Sequence, residues 1–206
     1  MAAVIERIGL VTDILVVPYR VNAALVAKQA LTLDALSEGR LTLGVGIGGN
    51  SADYQASGVP MSERGARMDA MLGEMKAIWA GEQRGDVGPV GPPTRPDGPA
   101  LLVGGSAEAS FRRVAQLADG WTMGGGGPDA FARGSQAVRA AWREAGREGE
   151  PRLMALCYFA LGQHARQTAE RYLSNYYSFL GSYADRVARS AVDVDAARSY
   201  RDAFAA

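Results

Sequence analysis

The chain has 206 residues, with 22 basic and 22 acidic side chains and therefore a formal net charge of zero. This balance argues against a nucleic-acid binding protein, which needs basic residues to neutralise phosphates, and it offers no polybasic signal for a membrane surface. Hydrophobic residues make up 48% of the chain, which excludes a wholly disordered protein and predicts one domain with a substantial core.

The first residues do not combine a basic segment with an apolar one, so they do not form a signal peptide. No apolar stretch approaches the roughly 20 residues of a membrane span. We therefore expect a cytoplasmic protein. The chain has one cysteine, Cys157, and one histidine, His164, so we expect neither an internal disulfide nor a metal site built from Cys and His.

Strands and helices alternate from the N-terminus. The apolar run Ile8–Val17 predicts a buried strand, and Asn22 is placed to cap a helix that ends near Gly39. Leu41–Val45 predicts the next strand, and Ser62 is a candidate cap for a further helix with an apolar stripe. We interpret this stripe as core packing rather than as a cofactor surface: Met68, Met71, Leu72, Met75, Ile78, Trp79.

The second half of the chain continues the alternation. Residues 81–99, rich in glycine and proline, predict a loop within a single domain spanning residues 1–206. Strands are predicted at 100–103, 120–123 and 152–161, each followed by a helix. The helix after the last of these strands is expected to begin near Ala165 and to turn Tyr172, Leu173, Tyr176 and Leu180 to one face. A final helix is expected from about 194 to the end.

This order implies a parallel sheet covered by helices, because parallel strands need crossover connections. Two architectures fit it, namely a doubly wound sheet and part of a (β/α)₈ barrel. In both, ligands bind at the carboxyl ends of the strands. Four of the five predicted strands end in glycine, which lets the backbone approach a ligand closely. We interpret these glycines as a ligand site rather than as tight turns alone.

One glycine motif is interpreted as a chance match. Gly44-x-Gly46-x-x-Gly49 has the spacing of the dinucleotide-binding fingerprint, which requires a helix that opens at the glycines. The next predicted helix begins only near Ser62, so we do not assign this function to the motif.

A second glycine segment is a better candidate for a phosphate site. Gly105, Ser106 and Ala107 directly precede a predicted helix, whose first amides and dipole favour an anion. The alternative for Ser106 is a simple helix N-cap.

Few side chains suggest acid–base or nucleophilic chemistry. Asp13 lies in an apolar strand, where a carboxylate is costly unless it is paired or serves a site. We interpret His164 as a solvated loop residue and Cys157 as a small buried hydrophobe. The residues by themselves identify neither a catalytic residue nor a metal site.

Two blocks of sequence carry a family resemblance. The first runs from Arg7 to Pro60 and contains Leu33-Asp34-Ala35-Leu36-Ser37-Glu38-Gly39-Arg40. The second combines Leu102-Val103-Gly104-Gly105-Ser106 with Ala118-Asp119-Gly120-Trp121. Together they resemble the bacterial-luciferase-like oxidoreductases, which include flavin-dependent monooxygenases and coenzyme-F420-dependent dehydrogenases and reductases. The resemblance implies a (β/α)₈ TIM barrel, of which this chain matches strands three to seven.

The resemblance also implies a function. The cofactor is FMN or coenzyme F420, and the reaction is monooxygenation of a small organic substrate or hydride transfer with it. The alternative is a non-catalytic flavin-binding relative or an inactive fragment of such an enzyme. Residues 22–37 match a helix through which family members pair, so a homodimer is expected.

The resemblance implies cofactor contacts at seven positions. A non-proline cis peptide is expected against the cofactor ring, the phosphate is expected at the second glycine segment, and two residues are expected beside the ring. The cis peptide is expected between Asp13 and Ile14. The phosphate is expected at Gly105, Ser106 and Ala107, and the two residues beside the ring are Gly49 and Asn50. Catalytic residues are not among the matched positions.

Five strands cannot close a barrel whose geometry requires eight. We therefore expect the chain made alone to be poorly soluble, oligomeric or molten, with little turnover. A longer chain with the flanking strand–helix units is expected to behave better.

Overall fold

A computed structural model describes residues 1–92, 95–190, 197–198 and 201–202. The strands are β1 (Leu10–Val11), β2 (Leu15–Val16), β3 (Leu41–Gly46), β4 (Ala100–Gly104), β5 (Gly120–Met123) and β6 (Arg152–Ala155). The α-helices are α1 (Ala23–Leu36), α2 (Ser51–Ser57), α3 (Arg64–Trp79), α4 (Glu108–Leu117), α5 (Pro128–Glu144), α6 (Ala165–Tyr176) and α7 (Ser182–Arg189).

The strands form a single sheet in which β1 and β2 both pair with β3, followed by β4, β5 and β6 in chain order. Every one of these pairings is parallel. A doubly wound sheet reverses its strand order at a switch point, whereas this order runs in one direction, as it does in a barrel. The sheet is a curled half-barrel with helices between its strands, which confirms the prediction of an incomplete TIM barrel.

The helices α1 and α3 pack into the main core. Asn22 caps α1, because its side-chain oxygen accepts a hydrogen bond from the Leu25 amide at 2.9 Å. The apolar stripe of α3 is buried in the main core, as predicted. Ser62 does not cap that helix, since Glu63 occupies the N-cap position and makes no side-chain cap.

A buried ion pair fastens the amino-terminal end of β3. Asp34, at the end of α1, has no solvent exposure, and its Oδ1 accepts a hydrogen bond from the Leu41 amide at 3.3 Å. Arg95 donates to the same carboxylate at 3.1 Å and to the Leu41 carbonyl at 3.2 Å. Arg95 thereby ties the loop of residues 81–99 to the end of the sheet away from the predicted ligand site.

Several predicted boundaries were wrong. The strand expected at 8–17 is divided into β1 and β2, because the peptide Asp13–Ile14 between them is cis. The strand expected at 152–161 is shortened to β6, and α2 was missed. The helix expected from about 194 lies for the most part outside the described residues. Within the described ranges, no helix has the length and apolar content needed to cross a membrane.

Candidate functional site

A cavity of about 330 Å³ opens at the carboxyl edge of the sheet. Its volume falls in the range typical of small-molecule sites. Residues at the ends of β3, β4 and β5 line it, together with residues that follow β6. Glycines contribute much of this wall: Gly46, Gly48, Gly104, Gly105, Gly124, Gly125. The cavity therefore lies where both candidate architectures placed a ligand.

Some glycines of β3 and β4 are required by protein packing. A Cβ atom on Gly46 would lie 2.7 Å from Cδ1 of Ile14, and one on Gly104 would lie 3.3 Å from Cγ2 of the same side chain. A Cβ on Gly44 would lie only 2.0 Å from the Thr12 carbonyl oxygen. These glycines let the segment that carries Ile14 approach the sheet closely.

Segment 12–14 is held in place by a pair of hydrogen bonds. Thr12 Oγ1 donates to the Gly44 carbonyl at 2.8 Å and accepts from the Gly44 amide at 3.0 Å. The following peptide, Asp13–Ile14, is cis, as the family resemblance implied. Asp13 lines the cavity, where its Oδ1 accepts a hydrogen bond from Thr122 Oγ1 at 3.1 Å.

The carboxyl group of Asp13 has an unusual electrostatic environment. The residue is exposed at the cavity, yet the surrounding protein removes part of the carboxyl's hydration and raises its pKa, and the Thr122 hydrogen bond only partly offsets this rise. Among the described residues, the cavity lining includes no Lys, Arg or His that would stabilise the carboxylate. The protonated acid is therefore favoured more strongly than in a free aspartate.

We expect Asp13→Asn to stabilise the protein near pH 7. The folded-state pKa of Asp13 lies above its reference value of 3.8, so its contribution to stability is fully present below that value. This contribution is lost as pH rises through the folded-state pKa, and asparagine avoids the loss. Thermal melts of both proteins should show a larger advantage for the variant at neutral pH than in acid. An advantage that grows toward acid pH would contradict this assignment.

Two tyrosines form a hydrogen-bonded pair on the opposite wall. The hydroxyl groups of Tyr158, which follows β6, and Tyr177, at the end of α6, are in direct contact, and either can be the donor. Burial, this hydrogen bond and the nearby Asp13 carboxylate all raise the pKa of Tyr158. The raised pKa keeps the Tyr158 hydroxyl protonated at neutral pH, and both tyrosines line the cavity.

Sequence reasoning missed this pair. It placed Tyr172, Leu173 and Tyr176 on one face of α6, but of these only Leu173 is buried, and the two tyrosines are 65% and 60% exposed. The signal available in the sequence was the concentration of tyrosines from Tyr158 to Tyr183, although their spacing does not reveal which of them meet across the fold.

The predicted phosphate segment lies at the rim of the cavity. Gly105 and Ser106 line it, while Ala107 occupies the N-cap position of α4 without a side-chain cap. Ser106 is therefore not the N-cap residue, so that alternative was wrong. Within the described part of the chain, Ser106 Oγ makes no hydrogen bond. Glu108, which follows, is paired with Arg112 at 2.9 Å.

Trp121 supports this segment from below. Its indole Nε1 donates to the Gly105 carbonyl at 2.7 Å, and its buried ring stacks on Phe131 with 5.7 Å between centroids. Gly105 has a φ of +125°, and a Cβ there would lie 2.5 Å from Ser110 Oγ. Both facts require glycine at this position, so the backbone of the phosphate segment is fixed in advance.

Two other predicted residues lie outside the cavity lining. Asn50 caps α2 by accepting from the Ala52 amide at 3.0 Å, and Gly49 directly precedes it. Their contact with a cofactor ring stays a prediction. Because α2 begins at Ser51, the absence of a nearby helix was a wrong reason to dismiss the Gly44-x-Gly46-x-x-Gly49 motif. The strand order still separates this sheet from a doubly wound one.

Cys157 and His164, the one cysteine and the one histidine of the chain, do not line the cavity. Cys157 is half-buried next to Tyr158, and burial raises the pKa of its thiol. A raised pKa disfavours the thiolate that a nucleophile needs. His164 is exposed at the start of α6, as expected for a solvated loop residue.

Comparisons with known proteins agree with this fold. The chain is 39% identical over 155 residues to an uncharacterized protein of Mycobacterium tuberculosis, an alignment that covers 71% of this chain and 53% of that protein. The chain spans about half the length of the curated relatives it matches.

Two solved structures share the fold. An F420-dependent secondary alcohol dehydrogenase, solved with an F420–acetone adduct, superposes with a TM-score of 0.78 at 15% identity, covering 98% of this chain and 73% of that chain. The monooxygenase RslO1 from Streptomyces bottropensis gives a TM-score of 0.74 at 23% identity, covering 98% of this chain and 69% of that chain. The sequence profile of luciferase-like monooxygenases matches residues 1–205. The chain therefore belongs to the luciferase-like monooxygenase family.

Proposed function

We propose that this chain forms the cofactor-binding part of an oxidoreductase that uses FMN or coenzyme F420. The observation that carries the proposal is the position of the cavity. It joins segment 12–14, with its cis peptide, to the pre-formed phosphate segment at Gly105 and Ser106. The F420–acetone adduct bound by the structurally similar alcohol dehydrogenase is consistent with this assignment.

The residues present fit such a cofactor. The wall built from glycine backbone lets a flat ring approach the ends of β3, β4 and β5 without side-chain interference. Ile14 offers an apolar surface next to this wall, and Ser106 offers a hydroxyl group without a protein partner in the described residues. The dipole of α4 adds its positive end to the phosphate segment.

The bound cofactor would supply hydride transfer or the activation of oxygen, and the protein would position it. Asp13 places a carboxyl group with a raised pKa at the cavity, where it can accept a hydrogen bond from a ligand or donate one to it. Tyr158 and Tyr177 share one hydrogen bond, so the hydroxyl group that accepts it keeps its own hydrogen for a ligand in the cavity. Tyr183 of α7 contributes to the same lining.

Two reactions follow from the two cofactors. With FMN the enzyme would oxygenate a small organic substrate, and with F420 it would move hydride to or from one. Both use the same cavity residues, so the choice depends on which cofactor binds.

Titration of the purified chain with FMN and with F420, followed by visible absorption, tests the proposal. A shifted cofactor spectrum with saturable binding is the expected result. Trp121→Phe should keep the fold and weaken both cofactors, because phenylalanine fills most of the indole site but cannot donate to the Gly105 carbonyl. We expect a loss of about tenfold, as for one hydrogen bond that positions a binding segment.

Phe111→Leu provides a matched control, since Phe111 packs on the other side of the same indole without a hydrogen bond to the phosphate segment. Failure of both cofactors to bind the folded wild-type chain would reject the proposed function. Binding without any turnover would favour the alternative, a non-catalytic flavin-binding relative.

A further inference from the structure

Asp13 supplies the one formal charge among the described residues that line the cavity at the carboxyl edge of the sheet. Its Oδ1 accepts the hydrogen bond from Thr122, whereas within the described part of the chain its Oδ2 has no hydrogen-bond partner. Burial raises the pKa of this carboxyl group, and no basic side chain of the described residues acts against the rise. The carboxylate has therefore lost part of its hydration without gaining a cation in return.

The tyrosines of the lining provide further hydrogen-bond acceptors. Tyr158 and Tyr177 share one hydrogen bond, and each hydroxyl oxygen keeps a lone pair for another donor. The charge of Asp13 acts on the Tyr158 hydroxyl, which places the two groups within electrostatic range of each other. Tyrosine rings also attract cations that reach their faces. In the part of the chain that the structure describes, the lining thus combines a negative charge and several acceptors with no positive charge.

We propose that this cavity binds a substrate that carries a protonated amine, which donates one N–H to Oδ2 of Asp13 and another to a tyrosine hydroxyl oxygen. An ammonium group has three donors and no acceptor, so it matches this arrangement, whereas an anionic substrate would be repelled. The inference names the substrate class of the proposed oxidoreductase and rests on that proposed function. A cofactor phosphate at Ser106 would add negative charge at the rim of the same cavity and strengthen the preference for a cation.

The effect of Asp13 on stability points the same way. Asparagine at this position avoids the lost hydration of the carboxylate, so the wild-type chain keeps a group that lowers its stability near neutral pH. Such a cost is typical of a group that serves a ligand, because the opposite charge of the ligand offsets it in the complex. Since Asp13→Asn is expected to be the more stable protein, weaker binding by this variant would report the lost charge rather than unfolding.

The test compares three ligands that share one carbon skeleton, namely isoamylamine, isoamyl alcohol and isovalerate. Ligand-observed NMR at neutral pH should give the amine a dissociation constant roughly tenfold lower than that of the alcohol, as for a hydrogen bond to a charged group, and should show the weakest binding for isovalerate. Asp13→Asn should remove the advantage of the amine and improve the binding of isovalerate. In the wild type, the amine should also lower the pKa of Asp13, measured by the carbon NMR shift of its carboxyl group, and the alcohol should not.

The control variant is Asp185→Asn, which makes the same change of charge at an exposed position of α7 outside the cavity lining. It should bind all three ligands like the wild type. The inference would be overturned if the wild type did not bind the amine more tightly than the alcohol, if Asp13→Asn kept the preference, or if both variants lost it equally.

The measurements are made with the cofactor-free chain and again after saturation with the cofactor that it binds. These two conditions separate the inference from the proposed function. A preference for the amine in a chain that binds neither FMN nor F420 would reject the proposed function and leave the ammonium site in place. Cofactor binding without a preference for the amine would reject the inference alone.

Discussion

Gly44→Ala should lower the free energy of unfolding by about 3 kcal/mol, at the upper end of the usual cost of overpacking. The new Cβ would lie 2.0 Å from the Thr12 carbonyl oxygen and 3.2 Å from its carbonyl carbon. Since these are backbone atoms, no side-chain rotation can relieve the contact. The change must separate β3 from segment 12–14, and Asp13 should lose its hydrogen bond to Thr122 as a result.

Denaturant unfolding of the variant and of Gly73→Ala measures this effect. Gly73 lies within α3, and a Cβ there would meet no atom within 4 Å. Alanine should therefore stabilise that helix by roughly 0.5–1 kcal/mol. A Gly44→Ala protein as stable as the wild type would show that the backbones of β3 and segment 12–14 are not in close contact.

The 206-residue chain, prepared by itself, should self-associate as its concentration rises. β1 is an edge strand that pairs with β3, and apolar side chains beside it are exposed: Val4 at 83%, Ile8 at 65% and Val11 at 41%. An open edge with apolar neighbours favours pairing with another chain. Sedimentation velocity over a range of concentrations should show the average mass increasing.

The double variant Ile8→Lys/Val11→Lys should associate less than the wild type, because charge at an edge opposes strand pairing. The comparison is lysine at Leu25 and Leu36, two exposed apolar positions of α1, the helix implicated in family dimers. Loss of association only in the α1 variant would assign it to helix pairing. If the wild-type chain were monomeric at every concentration, neither the β1 edge nor α1 would be an association surface.

The alternation of strands and helices could be predicted because each element has its own local pattern. β3 is a short segment dominated by apolar residues and glycine and buried along its whole length, and α3 carries an apolar stripe that is buried in the main core. The segment around Asp13 was harder, since its apolar composition resembles one continuous strand. The break between β1 and β2 lies where Thr12 bonds to Gly44, a residue 32 positions later in the chain, so no local pattern reveals it.

The candidate site was predictable where its residues follow a strand directly. Gly105 and Ser106 were identified in this way, and the structure places them at the cavity rim. Tyr158 and Tyr177 could not be paired from the sequence, because they are 19 residues apart on separate segments and only the tertiary fold brings their hydroxyl groups together.

The small cluster around α6 and α7 gives the two sides of the cavity unequal stability. Ala169, Leu173 and Ala188 form a hydrophobic cluster separate from the main core, with Tyr158 and Tyr177 packed against it. Opening this side would expose that cluster together with the buried residues Ala184 and Val187 of α7, whereas moving the glycine wall would disrupt the main core. The free-energy cost of admitting a ligand is thus confined to one cooperative unit, and the sheet that aligns the ligand can stay folded while it enters.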